Sequence, residues 1–151
     1  MTIYRESLLN HTHFGVYGFI AKAGNILVIE KARGPYLGMF DLPGGSPEQG
    51  ESHEETLKRE FYEELGVVPT SYKRTFEEIQ TIDFHYKKNG EMVTLKHSAM
   101  LYHVVDFEGK VKSEGDGEDC LRPLWVPAQK LNVENATPFL RMMIDLDSKK
   151  S

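Results

Sequence analysis

The first third of the chain alternates between segments that favour strands and residues that favour turns. Phe14 to Ala21 and Ile26 to Glu30 are rich in β-forming residues, and Lys22-Ala23-Gly24-Asn25 between them is typical of a hairpin turn. A short strand is predicted at about Met39 to Leu42, directly before Pro43-Gly44-Gly45. The two glycines there permit backbone angles that other residues resist. The pattern therefore predicts two opening strands and a glycine turn after a third.

A helix is predicted from Ser52 to Leu65. Ser52 and Glu55 have the spacing of a capping box, and Gly66 is suited to end the helix. Apolar side chains recur at every fourth position, at Leu57, Phe61 and Leu65. At about 3.6 residues per turn these three lie along one stripe, which is expected to face the core.

Two longer strands are predicted after this helix, at about Tyr72 to Phe84 and Glu91 to Val105. The segment between them, Lys87-Lys88-Asn89-Gly90, contains an Asn-Gly pair that favours a tight hairpin. A further short strand is expected to include Leu124 to Val126. These segments extend the predicted β-structure well beyond the first hairpin.

A second helix is predicted near the end of the chain. Thr137 is suited to cap it, and Pro138 to occupy its first turn. Its apolar stripe consists of Phe139, Leu140, Met143 and Ile144. Because hairpins and helices occur in mixed order, the fold class is predicted to be α+β, with a mixed sheet flanked by helices. With 151 residues and no repeat or linker, we interpret residues 1–151 as one domain.

Composition narrows the classes of function. The formal net charge is -5 and no basic cluster is present, which argues against binding to DNA or RNA duplexes. No apolar run approaches the roughly 18 residues that a membrane-spanning helix needs. No secretory signal is evident at the N-terminus, so a cytoplasmic protein without a membrane role is expected. The single cysteine, Cys120, agrees with a reducing compartment and is interpreted as a small packed residue.

Three acids share one face of the first predicted helix. Glu60, Glu63 and Glu64 lie three or four positions apart, where like charges weaken a helix by about 0.2–0.5 kcal/mol per pair. A hard divalent cation would offset this repulsion, because magnesium prefers carboxylate oxygens and is shared readily with phosphates. Glu64 also lies nearly above Leu57 on the helical wheel, so its carboxylate is expected to be desolvated and to need a partner. The alternative is a solvated acidic face, which is how most charge runs on helices are used.

The segment that begins at Gly45 resembles the Nudix box, whose pattern is G-x5-E-x7-R-E-U-x-E-E-x-G-U with U bulky and apolar. Every fixed position is met by Gly45-Ser46-Pro47-Glu48-Gln49-Gly50-Glu51, seven further residues, and Arg59-Glu60-Phe61-Tyr62-Glu63-Glu64-Leu65-Gly66-Val67. Phe61 is a mild departure, since smaller aliphatic residues are usual there. Leu42-Pro43-Gly44 precedes the box directly. The resemblance implies the α/β/α sandwich of the Nudix hydrolase (MutT-like) family.

The resemblance also implies a role for individual residues. The metal-binding glutamates of the family match Glu60, Glu63 and Glu64. Gly44 matches a residue whose carbonyl oxygen often joins them as a ligand. Arg59 is similar to the residue that orients Glu63, in agreement with their i,i+4 spacing. Glu51 is expected to fix the loop against the start of the helix.

The implied activity is hydrolysis of a P–O–P bond in a nucleoside diphosphate-linked substrate or a nucleoside triphosphate. Water activated by Mg²⁺ attacks a phosphorus atom while the ion neutralises charge on the leaving oxygen, and Mn²⁺ is the expected substitute. In this family the catalytic base comes either from the box or from a later acidic loop. Ser113 to Asp119 resembles such a loop, and Glu118 is the candidate for an added ligand or base. An ordinary solvated turn is the alternative for this segment.

The resemblance offers further candidates for contact with the substrate. Arg33, at the end of the second strand, matches a position that reaches phosphates, and the Gly44-Gly45 turn is a candidate for substrate contact. Tyr36 is a candidate for stacking on a base. Phe40 and Phe84 are alternatives for stacking, although core packing is the better interpretation of both.

Other functions stay open at this point. A non-catalytic nucleotide-sensing domain of the same fold is the alternative, but such domains usually lack box residues or carry a DNA-binding domain. An isomerase of isoprenoid diphosphates would need a suitably placed catalytic cysteine, and Cys120 offers little support for one. ADP-ribose hydrolases tend to have proline where Ile82 lies, and Tyr86 lies slightly beyond the tyrosine typical of dinucleoside polyphosphate hydrolases. No subgroup is therefore selected, a triphosphate pyrophosphohydrolase is as plausible as any, and a homodimer is equally open.

Overall fold

The computed structural model describes residues 10–115 and 120–149. The strands are β1 (His11–Phe19), β2 (Ala21–Lys22), β3 (Asn25–Lys31), β4 (Phe40–Asp41), β5 (Gly44–Gly45), β6 (Val67–Arg74), β7 (Gln80–Lys88), β8 (Glu91–Gly109) and β9 (Cys120–Pro127). The helices are α1 (His53–Leu65) and α2 (Pro138–Ser148), and a 3-10 turn covers Ala128–Lys130. No helix within the described ranges is long and apolar enough to cross a membrane.

The central sheet is mixed. β1 pairs in parallel with β8, with Phe14 opposite Ser98 and Phe19 opposite His103, whereas β5, β6 and β7 pair in antiparallel fashion. The order across the sheet is β5-β1-β8-β6, and β7 also pairs with β8. A second sheet has the order β2-β3-β4, and β9 also pairs with β3. The predicted α+β class with a mixed sheet is confirmed.

The first predicted hairpin forms, but its strands differ from the prediction. Ala23 and Gly24 adopt positive φ angles of 51° and 80° in the two-residue turn between β2 and β3. The long strand β1 ends earlier, at Phe19, and pairs in the central sheet rather than with β3. The Ile20 carbonyl oxygen then accepts a hydrogen bond from the Leu27 N–H at 3.0 Å, which marks the passage of the chain into the second sheet.

The strand predicted at about Tyr72 to Phe84 consists of two strands. β6 ends with Arg74 opposite Tyr102, and β7 begins with Gln80 opposite Ala99. The chain therefore advances six residues between the two strands, while the partner strand β8 advances only three. The surplus residues leave the sheet as a bend because β6 and β7 both pair with the same long strand. The predicted hairpin between β7 and β8 does form.

Alternation along β1 and β8 divides the core into two layers. The face toward α1 carries Val16, Met100, Tyr102 and Val104, which pack with Leu57, Phe61 and Leu65. The opposite face carries Tyr17, Phe19, Ala99 and Leu101, which pack with Phe139, Leu140 and Met143 of α2. The sheet is thus enclosed by the two helices, and the predicted apolar stripes are buried against it. Cys120 is buried in the α1 layer, as expected for a small packed residue.

The ends of α1 and the start of α2 follow the sequence prediction, but the side chain at the start of α2 is used differently. Ser52 Oγ accepts a hydrogen bond from the Glu55 N–H at 3.1 Å, and the Glu55 carboxylate accepts one from the Ser52 N–H at 3.0 Å. Gly66 ends α1 in the left-handed conformation, with a φ of 79°. Thr137 occupies the N-cap position of α2 but makes no side-chain capping bond, because its hydroxyl donates to Asp41 Oδ1 at 2.6 Å.

Candidate active site

A cleft with a volume of about 710 Å³ brings together residues of β1, β3, β5, β8 and α1. The residues predicted from the sequence that line it are Arg33, Tyr36, Gly44, Gly45, Arg59, Glu60 and Glu63. Acidic side chains from α1, basic side chains from β3 and the segment after it, and rings from β1 and β8 all contribute to the lining. The fold therefore gathers most of the candidate residues into one cavity.

Glu64 is the most buried of the three box glutamates. The residue is 1% exposed, whereas the side chains of Glu60 and Glu63 are 15% and 48% exposed. Glu64 Oε1 accepts a hydrogen bond from the Gly44 N–H at 2.7 Å. The expectation that this carboxylate is desolvated and needs a partner is confirmed. Because its donor belongs to the glycine turn, the contact fixes that turn against α1.

Arg59 joins the loop before α1 to the helix. Its Nε donates to Glu51 Oε2 at 2.7 Å and its Nη2 donates to Glu51 Oε1 at 3.0 Å, which makes a bidentate ion pair. Its Nη1 donates to Glu60 Oε1 at 2.9 Å and to Glu63 Oε2 at 3.2 Å. Nη2 also donates to the Ser46 carbonyl oxygen at 2.9 Å. The expected contact between Arg59 and Glu63 is present, but the pair with Glu51 is closer.

Glu51 is held by donors from three directions. Besides the Arg59 guanidinium, its Oε1 accepts hydrogen bonds from Thr56 Oγ1 at 2.8 Å and from the Glu48 N–H at 3.0 Å. The hydrogen bond from Arg59, followed by the one from Glu48, lowers the pKa of Glu51 to about 2. The carboxylate is therefore ionised at neutral pH, and its geometry agrees with the loop-fixing role expected of it.

The turn that faces these glutamates requires glycine at two positions. Gly44 has a φ of 146°, and a Cβ there would overlap the carbonyl oxygen of Val16. A Cβ on Gly45 would lie 2.7 Å from the carboxyl carbon of Glu60. The first glycine is thus required by the backbone, and the second leaves room for a carboxylate.

The carboxylates of Glu60, Glu63 and Glu64 are ligands of the kind that a hard divalent cation prefers, but each accepts a hydrogen bond from the protein. Among residues 10–115 and 120–149, no three His, Cys, Asp or Glu side chains are grouped as a ready metal site. Arg59 donates hydrogen bonds to Glu60 and Glu63, and the Gly44 amide donates one to Glu64. The oxygen-only donor set and the space left by the glycine turn fit such an ion. Binding would require Glu60 and Glu63 to exchange the Arg59 Nη1 group for the cation.

Basic side chains reach the same cleft. Lys31 ends β3, Arg33 follows it, and His13 comes from β1. Arg33 lines the cleft, and its contact with phosphate stays a prediction. Lys31 and His13 are cleft residues that sequence reasoning did not select. A cavity with both carboxylates and cations can bind a polyphosphate at its basic groups and a metal ion at its acidic ones.

A buried chain of hydrogen bonds runs along the cleft. His97 Nε2 and Nδ1 each lie 2.8 Å from a phenol oxygen, the first from Tyr17 and the second from Tyr36. Burial, followed by the charges of His13 and Lys31, lowers the pKa of His97 to about 3, so the ring is neutral at physiological pH. Sequence reasoning missed Tyr17 and His97. The available signal was alternation along β8, where the neighbouring buried positions are Val93, Leu95, Ala99 and Leu101.

Asp41 is another buried polar residue of the cleft that sequence reasoning missed. It is 5% exposed, and its Oδ1 accepts hydrogen bonds from the Leu42 N–H at 2.8 Å and from Thr137 Oγ1 at 2.6 Å. Burial raises the pKa of Asp41, and the hydrogen bond from Thr137 and the charge of Lys31 oppose that shift. Two donors and a nearby cation therefore compensate this carboxylate for its loss of water.

The aromatic residues considered for base stacking are largely packed. Tyr36 is 4% exposed, its ring centroid lies 4.7 Å from that of Phe84, and its hydroxyl bonds to His97. Phe40 packs against the α2 layer, which agrees with the core interpretation, and Phe84 is half-buried. Glu118, the predicted added ligand or base, lies outside the described residues.

The match to known proteins agrees with this fold. The family model of the NUDIX domain matches residues 9–146. This chain therefore belongs to the NUDIX family, as the box resemblance indicated. The enclosure of a mixed sheet by two helices, with the box glutamates on α1, is the corresponding architecture.

One relative is similar to part of this chain in sequence, and two solved structures are similar to it in fold. A 59-residue stretch is 44% identical to the ADP-ribose pyrophosphatase of Methanocaldococcus jannaschii and covers 39% of this chain and 35% of that protein. The match thus spans about a third of the relative's length. The MutT NUDIX hydrolase of Burkholderia pseudomallei is similar in structure, with a TM-score of 0.69, 24% identity, and coverage of 89% of this chain and 96% of that one. A mutator MutT protein of Bacillus halodurans has a TM-score of 0.63, 19% identity and coverage of 88% and 80%.

Proposed function

We propose that this chain is a divalent-metal-dependent pyrophosphohydrolase that breaks a P–O–P bond. The proposed substrate is a nucleoside diphosphate-linked compound or a nucleoside triphosphate, and Mg²⁺ is the proposed ion, with Mn²⁺ as its substitute. Membership of the NUDIX family and local identity to an ADP-ribose pyrophosphatase support this reaction class. Divalent metals are the general cofactors of the family.

The observation that carries the proposal is the presence of opposite charges in one cleft. Glu60 and Glu63 supply carboxylates, and Lys31 and Arg33 supply cations. Phosphates would be attracted to the cations but repelled by the carboxylates unless a divalent ion lay between them. The combination therefore favours metal-assisted chemistry on a polyphosphate over a solvated acidic face.

Each part of the cleft has a role in this proposal. The residues that would hold the ion are Glu60, Glu63, Glu64 and, through its carbonyl oxygen, Gly44. Arg59 holds Glu60 and Glu63 in place before the ion binds, and it stays anchored on Glu51 when they exchange its Nη1 group for the ion. Arg33, together with Lys31, binds a phosphate next to the reacting one. The ion, when bound, supplies polarisation of a phosphoryl oxygen and a lower pKa for the attacking water.

The reaction adds one water molecule across the P–O–P bond. The water oxygen bonds to one phosphorus atom, the bridging oxygen leaves with the other, and a base accepts the released proton. Two acids are candidates for that base. Glu63 is the most exposed of the box glutamates, with its side chain 48% exposed, and Glu118 belongs to the acidic loop.

A substrate panel tests the proposal. The purified chain would be incubated with ADP-ribose, nucleotide sugars, nucleoside triphosphates and dinucleoside polyphosphates, with products identified by chromatography and phosphorus NMR. We expect hydrolysis of at least one compound with Mg²⁺, loss of activity after chelation with EDTA, and recovery when the ion is restored. Water labelled with oxygen-18 would mark the phosphorus atom that is attacked. Nucleotide binding without hydrolysis would contradict the proposal and favour a nucleotide-sensing domain.

A further inference from the structure

We propose that Tyr17, His97 and Tyr36 form a relay of hydrogen bonds that donates one hydrogen bond to an uncharged acceptor on the organic part of the substrate. The acceptor would be a nucleobase carbonyl oxygen or ring nitrogen, or a sugar hydroxyl. This inference rests on the proposed function, because it assigns part of the same cleft to substrate selection. In the same cleft, the acidic groups would bind the metal ion and the basic groups would bind the phosphates.

The hydrogen bonds of His97 leave one phenol proton unused. A neutral imidazole has one N–H donor and one acceptor nitrogen. His97 has a tyrosine hydroxyl at each nitrogen, both at 2.8 Å. One phenol must therefore donate to the ring, while the other accepts from it. In either tautomer, the phenol that accepts keeps its own O–H proton for a further partner.

That remaining proton has no acceptor within the part of the chain that the structure describes. Across residues 10–115 and 120–149, the hydroxyl groups of Tyr17 and Tyr36 bond only to His97. Both tyrosines are buried, at 5% and 4% exposure, yet both contribute to the lining of the cleft. A buried donor without an acceptor is unfavourable, and an acceptor on a ligand in the cleft would remove that cost.

The relay carries no charge at physiological pH. Burial is the largest cause of the lowered pKa of His97, which is about 3, and of the raised pKa values of Tyr17 and Tyr36. Anionic phosphate oxygens are better matched by the nearby cations Lys31 and Arg33. A neutral donor in the same cavity is therefore suited to an uncharged acceptor.

Tyr36 is the end of the relay that would meet the organic part of the substrate. Tyr17 lies beside the glycine turn, since a Cβ on Gly44 would be 2.7 Å from its Cδ1 atom. Tyr36 instead lies beside Phe84, at 4.7 Å between ring centroids. When Tyr36 donates to a ligand, it accepts from His97 Nδ1–H, and Tyr17 donates to Nε2. The relay thus serves one acceptor at a time.

Two matched probes test this inference. The α,β-methylene analogues of ADP and GDP carry a nucleoside on a P–C–P group, and methylenediphosphonate is the same group without the nucleoside. Calorimetry with Mg²⁺ would give the affinities of both kinds of probe. Tyr36→Phe should weaken binding of a nucleoside probe by about 3- to 10-fold, the net worth of one hydrogen bond. Binding of methylenediphosphonate should stay unchanged.

Tyr102→Phe is the matched control. Tyr102 is 2% exposed but belongs to the α1 layer, so its substitution should change neither affinity. Equal weakening of both kinds of probe in Tyr36→Phe would overturn the inference, because the hydroxyl would then contact phosphate. An unchanged affinity for the nucleoside probes, or their failure to bind the wild-type chain, would overturn it as well.

Nitrogen-15 NMR of His97 in the wild-type chain gives a readout that needs no substitution. A nucleoside probe should fix the Nδ1–H tautomer, and methylenediphosphonate should leave the ring nitrogen shifts unchanged. A ring that responds equally to both probes would contradict the relay. Because both experiments measure binding, their failure is distinguishable from absence of hydrolysis in the substrate panel, which would instead remove the proposed function.

Discussion

The Arg59 guanidinium and the Glu51 carboxylate are joined by two hydrogen bonds, at 2.7 and 3.0 Å, between residues eight positions apart. The pair fixes the loop before α1 while Nη1 of Arg59 holds Glu60 and Glu63. Loop position and carboxylate position are therefore coupled through one side chain. The i,i+4 spacing predicted the contact with Glu63 but not this stronger one.

Glu51→Gln should lower the free energy of unfolding at neutral pH by about 1.5–3 kcal/mol, because it weakens charge-assisted hydrogen bonds. The pKa of Glu51 is lowered from its ordinary 4.5 to about 2. Its stabilisation is therefore present above pH 4.5 and lost as the pH falls through 2. Urea unfolding between pH 7 and pH 2 should show this loss in the wild type and a flatter profile in the variant.

Glu48→Gln is the control for that experiment. The Glu48 side chain is 68% exposed and lies 3.5 Å from Arg59, so its substitution should leave the profile unchanged. A Glu51→Gln variant whose stability falls as steeply with acid as that of the wild type would show that another group is responsible.

Glu63→Gln should lower the hydrolysis rate by orders of magnitude and leave the fold intact. The fold is expected to persist because the Glu63 side chain is half-exposed and Arg59 keeps its pair with Glu51. Glu54→Gln, an exposed position on the same helix, should retain the wild-type rate. Rates on the best substrate of the panel and thermal unfolding would be measured for each. An unchanged rate in Glu63→Gln would remove this residue from the mechanism.

Two alanine substitutions in the glycine turn should have different effects. Gly45→Ala places its Cβ 2.7 Å from the end of the Glu60 side chain, which can move, so activity and metal affinity should fall more than stability. Gly44→Ala forces a φ of 146° on a residue with a Cβ that overlaps backbone, so unfolding should become easier by about 1–3 kcal/mol or more. Chemical unfolding would measure the stability of each variant, and hydrolysis rates at increasing Mg²⁺ concentration would measure its activity and metal affinity. Equal losses of stability would contradict this distinction.

Asp41→Asn should raise the free energy of unfolding at pH 7. Burial raises the pKa of Asp41 in the folded protein above its ordinary 3.8. Protonated Asp41 therefore stabilises the fold below pH 3.8, and this stabilisation is lost as the pH rises through the raised pKa. Asparagine can accept the same hydrogen bonds from the Leu42 N–H and Thr137 Oγ1 without a buried charge. Denaturation at pH 7 and at pH 3 would compare the variant with the wild type. A gain at pH 3 that equals the gain at pH 7 would contradict the electrostatic cause.

Local signals predicted the helix that carries the box. The capping box of Ser52 and Glu55 and the stop at Gly66 depend on residues within a few positions of one another. Interactions of this kind form whenever the segment is helical, so spacing along the chain is enough to predict them.

Contacts between distant segments were missed or misassigned. Thr137 occupies the predicted N-cap position of α2, but its hydroxyl bonds to Asp41, which lies 96 positions away, rather than to the helix. Tyr17 and His97 are 80 positions apart and were not selected at all. Alternation predicts that a strand residue points inward, but it does not identify the residue that it meets.

The amino-acid sequence by itself determined the position of α1, the placement of three carboxylates on its faces and the need for glycine in the turn before it. Only the tertiary structure decided that β1 lies parallel to β8, that Arg33 and Lys31 share a cleft with those carboxylates, and that His97 lies between two phenols. The physical reason is range. Helix and cap energies arise between neighbours in the chain, whereas strand pairing depends on burial and hydrogen bonding summed over the whole fold.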